Sequence, residues 1–191
     1  MNEYSKYYYE VIEKYKLFHK KGIKNQPGNS TFLGYSLSKW IIIIKKIIEI
    51  NNCNSLLDFG CGKGFLYKNK FKLKGAEFNN LFDFWKIKNI FLYDPGVDEY
   101  SEYPKKKYDG VICTDVVEHI PEDDVLNFID ELFKLSNKFI FIVIATIPAS
   151  KYFEDGNNIH LSLKNEDKWK KIFLEFKIKY PDIDQHIYFN N

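Results

Sequence analysis

One nine-residue segment constrains the fold of this chain more than any other. Residues 56–64 read Leu-Leu-Asp-Phe-Gly-Cys-Gly-Lys-Gly. The apolar start is typical of a buried strand, and glycines at this spacing let the backbone turn sharply into a helix and approach a ligand closely. The segment therefore predicts a parallel α/β fold with a ligand-binding loop after Phe59. A glycine-rich turn that binds no ligand is the simpler alternative.

The same loop favours a cationic ligand over a dinucleotide. Phe65 stands where the dinucleotide-binding fingerprint has its third glycine, and Asp58 puts negative charge where a pyrophosphate would be repelled. A nicotinamide-dependent dehydrogenase is therefore a less favoured interpretation.

Apolar runs and helical patterns alternate along the rest of the chain. Helices are predicted at residues 3–20, 36–51, from 121 onward and at 167–176, and strands at 55–59, 90–93, 108–114 and 139–145. This alternation is typical of a parallel sheet covered by helices. Residues 64–89 carry a lysine at every second position from 68 to 74 and are predicted as a solvated edge or loop. In the tail, Ile178 is predicted to pair with residues 187–189.

Composition excludes several classes of protein. All 28 basic residues are lysine, so no arginine fork is present to read guanine, and sequence-specific DNA binding is not expected. The three cysteines are too few for a disulfide framework, and no apolar run approaches the roughly 20 residues that span a bilayer. We expect a cytoplasmic protein with no membrane partner and one domain over residues 1–191, with a helical cover at 1–51 and an α/β core at 52–191.

Two segments of the chain resemble the class I S-adenosylmethionine-dependent methyltransferases. Residues 58–64 are similar to the first motif of that family, and residues 108–121 look like its fourth motif; other segments are similar to a small bacterial and phage branch. The resemblance implies a Rossmann-like three-layer α/β sandwich with a mostly parallel sheet of the seven-stranded type. It also implies S-adenosylmethionine as the cofactor and S-adenosylhomocysteine as the product.

The resemblance further implies which residues hold the cofactor. In the family the glycine loop binds the methionine part, the acid before it organises the ammonium group, and an acid that ends the second strand binds the ribose. Here those acids are Asp58 and Asp94. The implied cofactor-binding residues are Asp58, Gly60, Cys61, Gly62, Gly64, Asp94, Pro95, Asp115 and Val116.

The chain departs from the family pattern in two places. Asp94 lies well beyond the roughly 20-residue spacing of a ribose-binding acid in the related dinucleotide fold, which implies a longer connection through residues 65–89. Only residues 95–107 separate the second strand from Tyr108, too few for the usual helix, strand and further helix. The adenine side is therefore predicted to be abbreviated, and the family's adenine contacts do not carry over.

A second constellation combines acids and histidines. Asp115, Glu118 and His119 follow one predicted strand, and His160 lies in the loop after the neighbouring strand. Ligands of parallel sheets bind outside the carboxyl ends of the strands, so we expect these groups to converge. A histidine beside a bound hydroxyl is suited to accept its proton, and His119, His160 and Glu118 are the predicted catalytic residues.

The same groups have two other interpretations. Acids and histidines together bind divalent metals, and the spacing resembles that of the plant small-RNA 2′-O-methyltransferases, where it holds a metal, and of the ubiquinone-pathway O-methyltransferases. A plain helix start with a solvated His160 is the structural alternative. Residues 146–160 are the predicted acceptor loop, His19 and His186 are predicted surface residues, and an N-terminal lid is predicted from Phe32, Gly34, Tyr35 and Ser36.

The expected activity is O-methylation of a small or glycan-like acceptor, because an acid and a histidine suit deprotonation of a hydroxyl. RNA is the alternative acceptor. A cofactor-binding module without transferase activity is the alternative of a different class. The sequence leaves a divalent metal open without favouring it, so no metal ligand is predicted, and it specifies neither the acceptor nor the oligomeric state.

Overall fold

The structure, a computed structural model, describes residues 3–23 and 26–190. In chain order its helices and strands are α1 (Lys6–Lys21), β1 (Gly22–Ile23), β2 (Gln26–Pro27), α2 (Ile41–Ile50), β3 (Ser55–Phe59), α3 (Phe65–Lys68), β4 (Phe71–Leu73), β5 (Ala76–Phe78), α4 (Leu81–Trp85), β6 (Asn89–Tyr93), β7 (Tyr108–Thr114), α5 (Val125–Leu135), β8 (Ser136–Ala145), α6 (Glu166–Lys179) and β9 (Asp184–Asn190).

The central sheet has five parallel strands in the order β6-β3-β7-β8-β9. The first strand of the predicted motif, β3, lies between β6 and β7, with Leu57 opposite Phe91 on one side and Val111 on the other. The prediction of a mostly parallel α/β sheet is confirmed. The expectation of a seven-stranded type is wrong for the described residues, because residues 95–107 hold a single 3-10 turn, Asp98–Tyr100, in place of a further strand.

Helices cover both faces of this sheet. Ile140, Ile142 and Ile144 of β8 pack with the buried faces of α5 and α6, while Phe139 and Phe141 face the opposite way, toward α2 and α4. Burial on both faces explains why the strand reads as one continuous apolar run. The three-layer sandwich is thus confirmed. None of the described helices is long and apolar enough to cross a membrane.

The structure corrects the prediction for residues 64–89. The segment forms α3, an antiparallel hairpin of β4 and β5, and α4, and it buries Leu66, Tyr67, Leu81, Phe84 and Trp85 in the core beside α2. The prediction of a solvated segment was based on the lysines at every second position from 68 to 74. Alternation is also the pattern of a strand with one wet face, and Phe71 and Leu73 pack on the core between the lysines.

The prediction for the tail is also wrong. Ile178 lies in α6 and is 76% exposed. The chain then turns at residues 181–183 and returns as β9, which pairs in parallel with β8 from Phe139↔Asp184 to Ala145↔Asn190. A helix between two parallel strands is the ordinary crossover unit, and α6 supplies it.

The N-terminal helix α1 covers the carboxyl edge of the sheet. Ser5 caps it by accepting from the Tyr8 amide, and both the amide and the hydroxyl of Ser5 donate to Asp124 at the start of α5. At the other end Gly22 adopts a positive φ of 91° and terminates the helix. The helix is thereby anchored at its N-terminus and ended at Gly22, over the region where the strands finish.

Candidate active site

A cavity of about 530 Å³ lies at the carboxyl ends of β3, β6 and β7. Gly60, Asp94 and Asp115, which follow these three strands, all line it. Its outer wall comes from one face of α1, through Tyr8, Val11, Ile12, Tyr15 and His19. This is the edge at which open parallel sheets bind their ligands.

The glycine loop permits contacts that no other residue allows. Gly60 has a φ of 87°, and a Cβ there would lie 2.4 Å from Cγ2 of Val116; Gly62 has a φ of 57°, and a Cβ there would lie 2.4 Å from the carbonyl oxygen of Phe32. Both line the cavity. Cys61 is buried and Gly64 begins α3, and neither is among the residues found to line the cavity.

The segment before α2 holds this loop in place. The Lys63 amide donates to the Phe32 carbonyl at 3.0 Å, and the Phe65 amide donates to the Leu33 carbonyl at 3.0 Å. The four residues predicted as a lid, Phe32, Gly34, Tyr35 and Ser36, all line the cavity. The helix predicted from residue 36 begins only at Ile41, because Ser36 lies within the 3-10 turn Tyr35–Lys39 that precedes α2.

Asp94 is fixed by backbone groups on both sides. Its Oδ2 accepts from the Gly62 amide and its Oδ1 accepts from the Gly96 amide, each at 2.8 Å. Burial raises the pKa of Asp94, against the opposing effect of the two amides and Lys63. Each carboxylate oxygen retains a further lone pair. Asp94 and Pro95 line the cavity, where the resemblance puts a ribose-binding acid; that role stays a prediction.

Asp58 is turned away from the cavity. It is 3% exposed and accepts a hydrogen bond of 2.8 Å from the Tyr67 hydroxyl. Burial raises the pKa of Asp58 to about 7, although the Tyr67 hydrogen bond acts to lower it. Asp58 is not among the residues found to line the cavity. The implied contact between Asp58 and an ammonium group therefore stays a prediction, because the buried carboxyl offers almost no exposed surface.

Asp115 and Val116 complete the loop after β7. Asp115 has a φ of 54° and accepts a hydrogen bond of 2.8 Å from the Asn190 side chain at the end of β9. Val116 packs against the bare Cα of Gly60. Both Asp115 and Val116 line the cavity. Strand β9, which was not predicted from the sequence, thus positions Asp115 through Asn190.

The structure brings His119 and His160 together. Their ring centroids are 4.7 Å apart, with an angle of 77° between the rings. Nδ1 of His119 lies 2.9 Å from the Ile159 carbonyl, and Nδ1 of His160 lies 2.7 Å from the Ile147 carbonyl. A carbonyl only accepts, so each Nδ1 carries the hydrogen and each Nε2 keeps a free lone pair.

Glu118 lies beside the two rings. It is fully buried, and its Oε1 accepts from the Ala145 amide at 3.0 Å, while Oε2 has no hydrogen-bond partner among the described residues. Ligand atoms of Glu118, His119 and His160 all lie within 4.8 Å of one another. Burial raises the pKa of Glu118 to about 8, with a further rise from Asp115, and burial lowers the pKa of His119 to about 3.

Backbone contacts over long sequence distances produce this convergence. Glu118 and His119 lie in the 3-10 turn Val117–His119 that follows β7. The Ser162 amide donates to the Glu118 carbonyl at 3.0 Å, and the Asn158 side chain bonds the Ala149 backbone and the His160 amide. The loop of residues 146–160 is therefore folded back over the end of the sheet, as its predicted role requires.

Two residues of the outer wall, Tyr15 and His19, were not predicted as site residues from the sequence. The prediction that His19 is a surface residue is wrong, because it lines the cavity and its Nδ1 accepts from Nζ of Lys63 at 2.8 Å. Tyr15 also lines the cavity, and its hydroxyl lies 2.7 Å from Nδ1 of His119. The signal was the stripe Tyr8, Tyr15 and His19, whose spacings of seven and four residues put them on one helix face.

This combination of a parallel sheet, a glycine loop after its first motif strand and a cavity at the carboxyl edge defines a Rossmann-like fold with a candidate ligand site. Residues 9–190 match the model of a family described as a methyltransferase domain, so the chain belongs to that family and is a methyltransferase. No curated protein and no solved structure matches the chain.

Proposed function

We propose that the protein transfers a methyl group from S-adenosylmethionine to an oxygen of a small or glycan-like acceptor. The observation that carries the proposal is one cavity lined both by the glycine loop and by the paired histidines His119 and His160. The glycine-loop side of the cavity, here called the donor half, fits a methyl donor that needs close backbone contact. The histidine side, the acceptor half, offers a base to the hydroxyl of the acceptor.

The donor half acts by shape and hydrogen bonding. When bound, S-adenosylmethionine supplies a methyl group on a sulfonium that is already a good leaving group. Gly60 and Gly62 let the backbone lie against the ligand, and the spare lone pairs of Asp94 accept from ribose hydroxyls. Most of the rate enhancement then comes from holding donor and acceptor in line.

The acceptor half supplies the proton acceptor. His119 is the more deeply buried ring, and its pKa of about 3 makes it a weak base. Burial lowers the pKa of His160 as well, but this ring is nearer to solvent and keeps its Nε2 lone pair. We therefore assign proton acceptance to His160, with His119 and Glu118 shaping the site around it.

Calorimetric titration tests the donor assignment. We expect heat of binding with S-adenosylmethionine and S-adenosylhomocysteine and none with NAD. Heat with NAD alone would reverse the assignment. Methyl transfer is then measured with radiolabelled donor against panels of small hydroxyl compounds, oligosaccharides and RNA. His160→Ala is expected to retain S-adenosylhomocysteine binding and lose transfer by about 100-fold or more, the usual contribution of a general base.

A second candidate is metal-dependent 2′-O-methylation of RNA. The buried Oε2 of Glu118 without a described partner, together with two free imidazole nitrogens, matches the donor set of a divalent metal. Imidazoles whose Nδ1–H groups donate to backbone carbonyls are oriented as metal ligands are. A divalent ion held by Glu118, His119 and His160 would lower the pKa of an acceptor hydroxyl.

Chelation separates the two candidates. Activity that survives chelator treatment favours the general base, whereas loss that one divalent ion restores favours the metal. A readout independent of turnover is calorimetric titration of Mn²⁺, Zn²⁺ and Mg²⁺ into the protein and into Glu118→Gln. Binding that Glu118→Gln weakens supports the metal site, and equal binding by both proteins opposes it.

A further inference from the structure

His19 presents a hydrogen-bond donor to the cavity from the last turn of α1. Its Nδ1 lies 2.8 Å from Nζ of Lys63, whose ammonium group only donates. Nδ1 is therefore the unprotonated nitrogen, and the ring hydrogen sits on Nε2. Burial and Lys63 lower the pKa of His19 to about 4, so the ring is neutral in this arrangement at physiological pH.

The Nε2–H group lies beside the carboxylate of Asp94. A Cβ built on Gly96 would be 3.0 Å from Cδ2 and 3.4 Å from Nε2 of His19, and 3.2 Å from Oδ1 of Asp94. The ring edge of His19 and the carboxylate of Asp94, which come from distant parts of the chain, thus lie against the same side of Gly96, with Nε2 and Oδ1 no more than about 6.6 Å apart. One bridging hydroxyl spans such a separation. His19, Asp94 and Gly96 all line the cavity.

A donor beside a carboxylate is the pair that a hydroxyl group satisfies, because a hydroxyl accepts one hydrogen bond while it donates another. We propose that His19 is a cofactor-binding residue: its Nε2–H donates to a ribose hydroxyl, and the same hydroxyl donates to the carboxylate of Asp94. The inference rests on the proposed function, since it takes S-adenosylmethionine as the ligand.

The position of His19 gives this contact a structural reason. The connection of residues 95–107 is short and holds only the turn Asp98–Tyr100, so it builds little wall beside the ribose site. Helix α1 closes that side instead. Nζ of Lys63, in the glycine loop, donates to Nδ1 of His19, to the His19 carbonyl at 3.3 Å and to the Thr31 carbonyl at 2.9 Å. These bonds connect His19 to the glycine loop.

The test compares ligands with and without the hydroxyl. Dissociation constants of S-adenosylhomocysteine and of its 2′-deoxy and 3′-deoxy analogues are measured by calorimetry for the wild type, His19→Ala and the control His186→Ala, a histidine of β9 outside the cavity. We expect His19→Ala to weaken S-adenosylhomocysteine binding by about 3- to 10-fold, the range of one neutral hydrogen bond. The His19→Ala variant should bind one of the two deoxy analogues as the wild type does, because that analogue lacks the hydroxyl in question. The His186→Ala control should bind all three ligands as the wild type does.

Gly96→Ala gives a second variant that keeps the imidazole of His19 and the carboxylate of Asp94. Its methyl group occupies the point between Asp94 and His19, so it should reduce the same discrimination between ribose and deoxyribose ligands. Equal weakening of all three ligands by His19→Ala would assign His19 a structural role only and overturn the inference, as would no weakening. A wild-type protein that binds none of the three ligands would instead overturn the proposed function.

Discussion

The two halves of the cavity are built on different principles. At the ends of β3 and β6, backbone groups predominate: Gly60 and Gly62 line the cavity while packing closely on Val116 and the Phe32 carbonyl, and Asp94 has both oxygens bonded to amides. At the ends of β7 and β8, side chains predominate, and one buried oxygen of Glu118 has no partner among the described residues.

The contrast shows which half is complete in itself. In the donor half, the Asp94 carboxylate and the amides of Gly62 and Gly96 are already bonded to one another, so this half is preorganised for its ligand. The acceptor half keeps two imidazole lone pairs and a carboxyl of raised pKa close together, an arrangement that a proton, an acceptor hydroxyl or a cation completes. Ligand binding and chemistry should therefore be separable by mutation.

The largest effect is expected from Gly62→Val, which should abolish S-adenosylhomocysteine binding, with a loss of more than about 100-fold. The added side chain meets the Phe32 carbonyl, and a β-branched residue is strained at a φ of 57°. Calorimetry measures the loss, and circular dichroism checks the fold. Unchanged affinity would show that the glycine loop does not contact the ligand.

Gly75→Val is the matched control for that variant. Gly75 also has a positive φ, of 83°, but no atom lies within 4 Å of its Cβ position. The control therefore carries the backbone strain without the close approach, and it should bind S-adenosylhomocysteine like the wild type.

The opposite half is probed by Glu118→Gln, which removes a carboxyl that shapes the site around His160 and should reduce methyl transfer by about 10- to 100-fold, the range for groups that support functional histidines. The affinity for S-adenosylhomocysteine should stay within about twofold, because the amide oxygen still accepts from Ala145 and no donor-half contact changes. Glu122→Gln, an exposed acid paired with Lys164, is the control. Parallel loss of binding and transfer would mean that the halves are not separable.

These halves also differ in how much the sequence revealed. The donor half lies in contiguous motifs, so strand β3 was predicted with its bounds and Asp94 was placed by its position after β6. His119 and His160 were predicted to converge because parallel strands end at one edge, and their geometry agrees. Their hydrogen-bond partners, the carbonyls of Ile159 and Ile147, were beyond prediction because they depend on how the loop folds.

The misses have physical causes as well. His19 sits at the end of an amphipathic helix, where helical spacing alone does not tell a solvated turn from a covered one. The hairpin of β4 and β5 was missed because its alternating lysines suggested a solvated segment. The return of the tail as β9 depends on pairing with β8, a contact that local sequence pattern does not encode.

A smaller effect on the donor half is expected from Asp94→Ala. The variant removes a charged acceptor for ribose and leaves the amides of Gly62 and Gly96 without their partner. S-adenosylhomocysteine binding should weaken by about 1.5 to 3 kcal/mol, the range for hydrogen bonds to charged groups. The exposed Asp98→Ala is the control and should have no such effect. If Asp94→Ala leaves the dissociation constant unchanged, the ribose site lies elsewhere.

The smallest effect should come from Tyr15→Phe. The Tyr15 hydroxyl lies 2.7 Å from Nδ1 of His119 and donates to the Ile159 carbonyl at 3.4 Å. Burial raises the pKa of this hydroxyl, so it acts as a neutral partner. Its removal leaves Nδ1 bonded to Ile159, and kcat should fall by only about 3- to 10-fold, the range of one neutral hydrogen bond.

Tyr9→Phe provides the reference for this variant, because Tyr9 lies on α1 and is 55% exposed. The two proteins should bind S-adenosylhomocysteine equally and differ only in kcat, since Tyr15 acts through His119 and touches no residue of the glycine loop in the contacts described. A loss with Tyr15→Phe as large as that with Glu118→Gln would show that helix α1, and not the strand ends alone, sets the acceptor chemistry. The acceptor half would then be a three-element site whose activity depends on the docking of the N-terminal helix.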